Sequence, residues 1–128
     1  MIMGKDLDRI LLVEDNYDIR EITMIKLGMK GYKVMDYDCY DEVQTQGLEN
    51  YFAYICDHNV LGVLNGPEWI KLYGCFIDKS KLIMVSANPQ LYIDSGIEGH
   101  IIDKGDHNYF NKIIDTLEVI KQGNFGDE

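Results

Sequence analysis

The stretch Tyr51-Phe52-Ala53-Tyr54-Ile55-Cys56-Asp57 restricts the fold more than any other part of the chain. It is a short, mostly apolar run without a helical period, and it ends in a single carboxylate. A run of that length suits a strand buried on both faces of a parallel sheet. The residues that follow, 58–66, read as loop, and Pro67 opens a helix at the position where proline is best tolerated. In open α/β sheets ligands bind outside the carboxyl ends of the strands, so a buried strand that delivers an acid to its C-terminal end places a reactive group. Asp57 is therefore the residue expected to be chemically modified.

The same layout recurs along the chain. Arg9-Ile10-Leu11-Leu12-Val13 is an apolar run ending at Glu14-Asp15-Asn16. A helical period follows from Tyr17, with Ile22, Ile25 and Met29 at three- and four-residue steps and Gly31 as its C-terminal stop. Residues 32–37 alternate like a half-exposed strand. Residues 38–48 are a weak helix candidate, capped by Asp38 or Asp41, anchored by Val43 and Leu48, and weakened by Gly47. After residues 51–57 come a short helix over 67–73 closed by Gly74, a strand over 81–86, an interrupted segment over 88–98, and a strand over 100–104. The last helix carries Phe110, Ile113, Ile114, Leu117 and Ile120 on one face, ends near Gln122, and leaves residues 123–128 as a frayed tail. Five strands alternating with helices predict one α/β domain, a parallel sheet with helices on both faces and right-handed crossovers. Its core spans about residues 8–122, between two short tails.

Composition narrows the chemistry. At 128 residues the chain supports one core. Three widely spaced cysteines, Cys39, Cys56 and Cys75, suit reduced thiols better than disulfides or a zinc site. A net charge of −10 opposes nucleic-acid binding. No apolar run reaches the roughly 20 residues of a membrane span, and residues 1–6 lack a signal-peptide core, so a cytoplasmic location is expected.

Read off the carboxyl edge of the predicted sheet, the polar residues are Glu14, Asp15, Asp57, Ser86 and Lys104. Carboxylates that meet there repel one another, and an all-oxygen set favours Mg²⁺, which keeps several waters and takes further ligands from phosphate. A carboxylate beside such a metal is a nucleophile for a phosphoryl group, with metal and lysine offsetting the developing charge. Each residue alone has an ordinary reading: acids favoured at a helix start, a strand-end serine, a surface lysine, an aspartate capping a loop.

Together they resemble the receiver domain of two-component response regulators. The matching text is Ile10-Leu11-Leu12-Val13-Glu14-Asp15-Asn16, then Asp57, then Val85-Ser86-Ala87, then Ile102-Asp103-Lys104. The resemblance implies a flavodoxin-like sheet of order 2-1-3-4-5. It makes Glu14 and Asp15 the Mg²⁺-holding acids, Asp57 the phosphoacceptor and a metal ligand, and the backbone carbonyl of Asn59 a further ligand. Ser86 and Lys104 become the phosphate partners, and Asn59 and Asn88 the positions that tune dephosphorylation. The implied role is signalling rather than enzymatic turnover: Asp57 takes a phosphoryl group from a histidine kinase or histidine phosphotransfer protein and slowly loses it to water. Tyr17, Ile19 and Arg20, at the start of the first helix, are the expected kinase contact, and a receiver alone is expected to act by docking, as a phosphate shuttle, a stand-alone regulator or a fragment of a larger chain.

Four departures bear on signalling. After Asp57 the usual Pro-Gly pair is reduced to the glycine of Leu61-Gly62, and Gly105 stands where a proline usually follows the lysine. The aromatic switch position, three before Lys104, is Ile101, so the switch either uses Tyr92 or Tyr109 or is subtler than a ring movement. Ser86 and Lys104 are 18 positions apart, about one helical turn short of the family norm, so the fourth helix is expected to be shortened or irregular. The missing proline and aromatic ring favour the competing reading, a pseudo-receiver that binds partners without being phosphorylated, and the complete set of acids, hydroxyl and lysine opposes it. A phosphatase built on Asp36-Tyr37-Asp38 and a flavin-binding carrier fit less well: the first has its acids after the wrong strand and no cap segment, and the second has an acidic loop that repels phosphate.

Overall fold

The computed structural model describes residues 8–126, with side chains through Gly123. The expectations for residues 1–6 and for Asp127 and Glu128 lie outside the described residues. Five strands form one parallel sheet: β1 (Arg9–Val13), β2 (Lys33–Tyr37), β3 (Ala53–Asp57), β4 (Leu82–Ser86) and β5 (His100–Asp103). Their order is β2-β1-β3-β4-β5. The helices are α1 (Tyr17–Met29), α2 (Gly66–Tyr73), α3 (Gln90–Ser95) and α4 (Tyr109–Gly126). None of the helices among the described residues is long and apolar enough to cross a membrane.

The two-residue period of the strands divides the core into two layers. Leu11, Val13, Tyr54, Cys56, Leu82 and Met84 face one side, packed with Tyr40, Leu48, Trp69, Ile70 and Tyr92. Ile10, Leu12, Ala53, Ile55, Ile83, Val85 and Ile102 face the other, packed with Leu27 of α1 and Ile113, Leu117 and Ile120 of α4. β3 and β4 are buried along their whole length, while β2 at the sheet's edge is largely exposed. Cys56 is buried, and all three cysteines are free thiols.

Local chemistry sets the helix ends. The Asn16 side chain accepts from the Ile19 amide and starts α1, and Gly31 adopts φ 91° just past its end. Asn65 and Glu68 close a capping box on α2, with Pro67 in the first turn. Gly96, at φ 75°, stops α3 after six residues, the shortened element expected there.

Three expectations are corrected. On α1 the inward stripe is Ile19, Thr23 and Leu27, whereas Ile22, Ile25 and Met29 face solvent, the last 81% exposed. Thr23 passes as a core residue because its hydroxyl donates to the Ile19 carbonyl at 2.6 Å, which satisfies its only strong donor inside the helix. Residues 38–48 form no α-helix. They fold as a 3₁₀ turn over Tyr40–Glu42, then Gly47 at φ 77°, then a second turn over Leu48–Asn50, and Val43 and Leu48 still reach the core. The left-handed glycine and the Asp41 carboxylate, which accepts from the Val63 amide at 3.0 Å, hold the chain off a helical path. α4 runs on to Gly126 instead of fraying after Gln122.

Candidate functional site

Register decides what meets at the carboxyl edge. Val13 lies beside Cys56, Asp57 beside Val85, and Ser86 beside Asp103. The residues that follow or end these strands are therefore nearly level, which brings Glu14, Asp57, Ser86 and Lys104 to one line. The Lys104 amide donates to the Ser86 carbonyl at 2.9 Å and fixes the last of them.

The acids converge as expected. Glu14, Asp15 and Asp57 each offer a carboxylate oxygen within 4.8 Å of the others. Lys104 Nζ stands 2.7 Å from Glu14 Oε1 and donates to Asp57 Oδ2 at 3.1 Å. Glu14 and Asp57 are only 1% and 3% exposed, so these charges interact with little screening. Asn59, Ser86, Asn88, Leu91, Asp57 and Lys104 line a cavity of about 140 Å³ above the cluster. Ser86 is buried, and its hydroxyl both donates to the Asn88 carbonyl and accepts from the Asn88 amide, each at 2.9 Å.

The electrostatics follow from the packing. Burial raises the Asp57 pKa and the Glu14 charge adds to it, outweighing the Lys104 ammonium. Asp15 is raised by burial and then by Glu14. Burial works to lower the Lys104 pKa, yet it ends up raised because Glu14 and Asp57 both stabilise its charge. The asymmetry has a simple origin: the lysine sees two anions, while Asp57 sees one anion and one cation that largely cancel and leave burial in charge.

The donor set fits a hard divalent cation. Three carboxylates face one ammonium, so two negative charges remain when all are ionised. Glu14 Oε1 is buried, and the Lys104 ammonium at 2.7 Å is its neighbour. Oxygen ligands with room for water are what Mg²⁺ takes.

Other expected residues fall elsewhere. Ile101 sits half-buried in β5 beside Met84 and packs into the core instead of lining the cavity. Of the expected kinase contact, only Tyr17 is open to solvent. Ile19 is half-buried, and Arg20 turns back to donate to the Glu14 carbonyl at 2.7 Å and to pair with Asp36 at 3.4 Å. The arginine fork reaches two acceptors of its own domain, which holds it off the surface. Gly62 adopts φ 109°, and a Cβ there would stand 2.7 Å from the Asp41 carboxylate, so this loop glycine is needed on both counts. The turn at Gly105 is held by its amide donating to Asp103 Oδ1 at 2.8 Å. Two residues at the site had no signal in the chain's local pattern. Tyr40 donates to the Asp57 carbonyl at 2.6 Å, and Leu91 lines the cavity.

At the level of sequence no family model matches the chain, and no curated protein does. Solved structures do match. Response regulator TrrA of Thermotoga maritima, in complex with Mg²⁺-BeF, is 22% identical with a TM-score of 0.71, over 88% of this chain and 98% of that one. Chemotaxis protein CheY4 of Vibrio cholerae is 18% identical with a TM-score of 0.70, over 90% and 99%. The receiver domain of the hybrid histidine kinase CckA is 20% identical with a TM-score of 0.68, over 88% and 97%. With the sheet order β2-β1-β3-β4-β5, the fold is that of a response-regulator receiver domain.

Proposed function

We propose that this chain is the phosphoacceptor of a cytoplasmic two-component relay, taking a phosphoryl group on Asp57 from a partner histidine kinase or histidine phosphotransfer protein. The observation that carries the reading is the Lys104 ammonium held on both Asp57 and Glu14 at the carboxyl edge of the sheet. An Asp57 oxygen attacks the phosphorus of a phosphohistidine, the P–N bond breaks, and the freed imidazole nitrogen takes a proton from solvent. Lys104 stands where charge gathers on the transferred group, and phosphoryl transfer depends mainly on such positioning and charge. Ser86 reaches a phosphoryl oxygen by giving up its bond to the Asn88 carbonyl. Hydrolysis, tuned by Asn59 and Asn88, returns the carboxylate. Asp15, Asp57 and the Asn59 carbonyl, with Glu14 beside them, would hold Mg²⁺, which supplies charge neutralisation at the phosphoryl oxygens when bound.

The test is incubation with Mg²⁺ and acetyl phosphate, followed by intact mass. The expected result is one added phosphoryl group that Asp57→Asn abolishes. An unchanged mass in the wild type would instead support a pseudo-receiver that binds partners without phosphorylation.

A further inference from the structure

Two buried tyrosines, one from the 3₁₀ turn before β3 and one from α3, grip consecutive carbonyls at the end of β3. The Tyr40 hydroxyl donates to the Asp57 carbonyl at 2.6 Å, and the Tyr92 hydroxyl donates to the Cys56 carbonyl at 2.8 Å. Both rings are essentially inaccessible, at 2% and 0% exposure. The Asp57 carbonyl is the one that needs such a partner. Pairing between β1 and β3 stops at Val13 and Cys56, because the chain leaves β1 there and the Glu14 amide bonds to Tyr37 across on β2. No strand amide is left to meet the next carbonyl, and a buried carbonyl without a donor is costly.

The Tyr40 turn does more than fill that gap. Its next residue, Asp41, accepts from the Val63 amide, so one 3₁₀ turn fastens both the start and the middle of the loop that follows the acceptor. The loop's far end is closed by the Gly66 amide on the His58 carbonyl at 2.9 Å, and the His58 amide is tied to Val85. Gly66 packs so closely under Tyr92 that a Cβ would collide with its hydroxyl and with the Asp57 carbonyl. Asn59 therefore leaves from a peptide whose two neighbours are held rigidly. Trp69 stacks on the Tyr40 ring at 5.2 Å, and His58 meets the Tyr92 ring edge-on at 5.3 Å, so neither tyrosine can swing freely.

We infer that Tyr40 and Tyr92 are positioning residues for the acceptor turn, Tyr40 foremost. They aim the Asp57 peptide so that the carboxylate and the Asn59 carbonyl face one cation. The inference rests on the receiver reading above, and deepens it by naming groups outside the charged cluster that set its cation affinity.

Tyr40→Phe and Tyr92→Phe keep each ring and delete only the hydroxyl. Tyr54→Phe is the control: its buried hydroxyl donates to the Leu48 carbonyl, away from the turn. Mg²⁺ affinity is measured by titration calorimetry, acetyl phosphate labelling by intact mass over time, and folding by thermal melts. Losing a group that orients metal ligands typically weakens metal binding about tenfold or more, and that is the change expected for Tyr40→Phe, with slower labelling to match. Tyr92→Phe is expected to show a smaller loss, and Tyr54→Phe to melt lower with unchanged Mg²⁺ affinity. If Tyr40→Phe and Tyr92→Phe bind Mg²⁺ and label within twofold of wild type while only melting lower, the hydroxyls are structural and the inference falls alone. If the wild type itself neither binds Mg²⁺ nor labels, the receiver reading falls and takes this one with it. Should one tyrosine variant fail to fold, the other decides.

Discussion

Asp57 sits where its carboxyl ionises less readily than a free one. Burial and the Glu14 charge raise its pKa, and Asp15 is raised for the same two reasons. The sign of the consequence is fixed by linkage. A carboxyl whose folded pKa lies above its unfolded value of about 3.9 binds more protons when folded, so the metal-free domain loses stability as pH rises from there through the raised value. Thermal melts in chelator should give a higher midpoint near pH 5 than near pH 8. Asp57→Asn should flatten that slope, and saturating Mg²⁺ should do the same by supplying the missing positive charge. A slope equally steep in Asp57→Asn would assign the effect to other groups. At this scale much of the site is legible in the sequence. Glu14, Asp15, Asp57, Ser86 and Lys104 each close an apolar run, and a parallel sheet lines up such closures. Tyr40 is not legible, because its partner lies 17 residues away across an irregular segment and no period marks it.

Among the elements, α1 shows why periodicity chose the wrong face. Ile22, Ile25 and Met29 make as good a helical stripe as Ile19, Thr23 and Leu27, and only packing separates them. The chosen stripe contains a threonine whose hydroxyl is satisfied within the helix, so a count of apolar residues underrates it. Leu27, 1% exposed, should cost about 2–5 kcal/mol when changed to alanine. Ile25, 60% exposed, should change stability by no more than about 0.5 kcal/mol when changed to serine. Urea unfolding of both variants checks the assignment, and a reversed order would return α1 to the orientation that periodicity suggests. The segment over residues 38–48 misleads for a different reason. Val43 and Leu48 do bury, but through two 3₁₀ turns joined at a left-handed glycine, so burial alone does not reveal the backbone path. The strands and the capped α2 have no such ambiguity, because glycine, proline and asparagine punctuate them where the backbone requires it.

For the whole molecule the relevant quantity is charge. A chain at −10 repels itself, and its acidic cluster concentrates that repulsion where three carboxylates meet one lysine. Two kinds of cation effect should then be separable. Sodium chloride screens the net charge, so it should raise the melting midpoint modestly and then level off as the Debye length shrinks. Mg²⁺ should add a binding term that grows with the logarithm of its concentration, about 2.7 kcal/mol at a hundredfold excess over its dissociation constant. Melts across a Mg²⁺ series, each matched in ionic strength with sodium chloride, isolate that term. Asp15→Asn should abolish it while leaving the sodium response intact, since one charge in ten hardly alters screening but removes a ligand oxygen. Matched curves that coincide in the wild type would mean that Mg²⁺ acts only as salt. The carboxyl edge would then be a set of paired, buried charges on a receiver fold, with Lys104 already serving as its counter-ion.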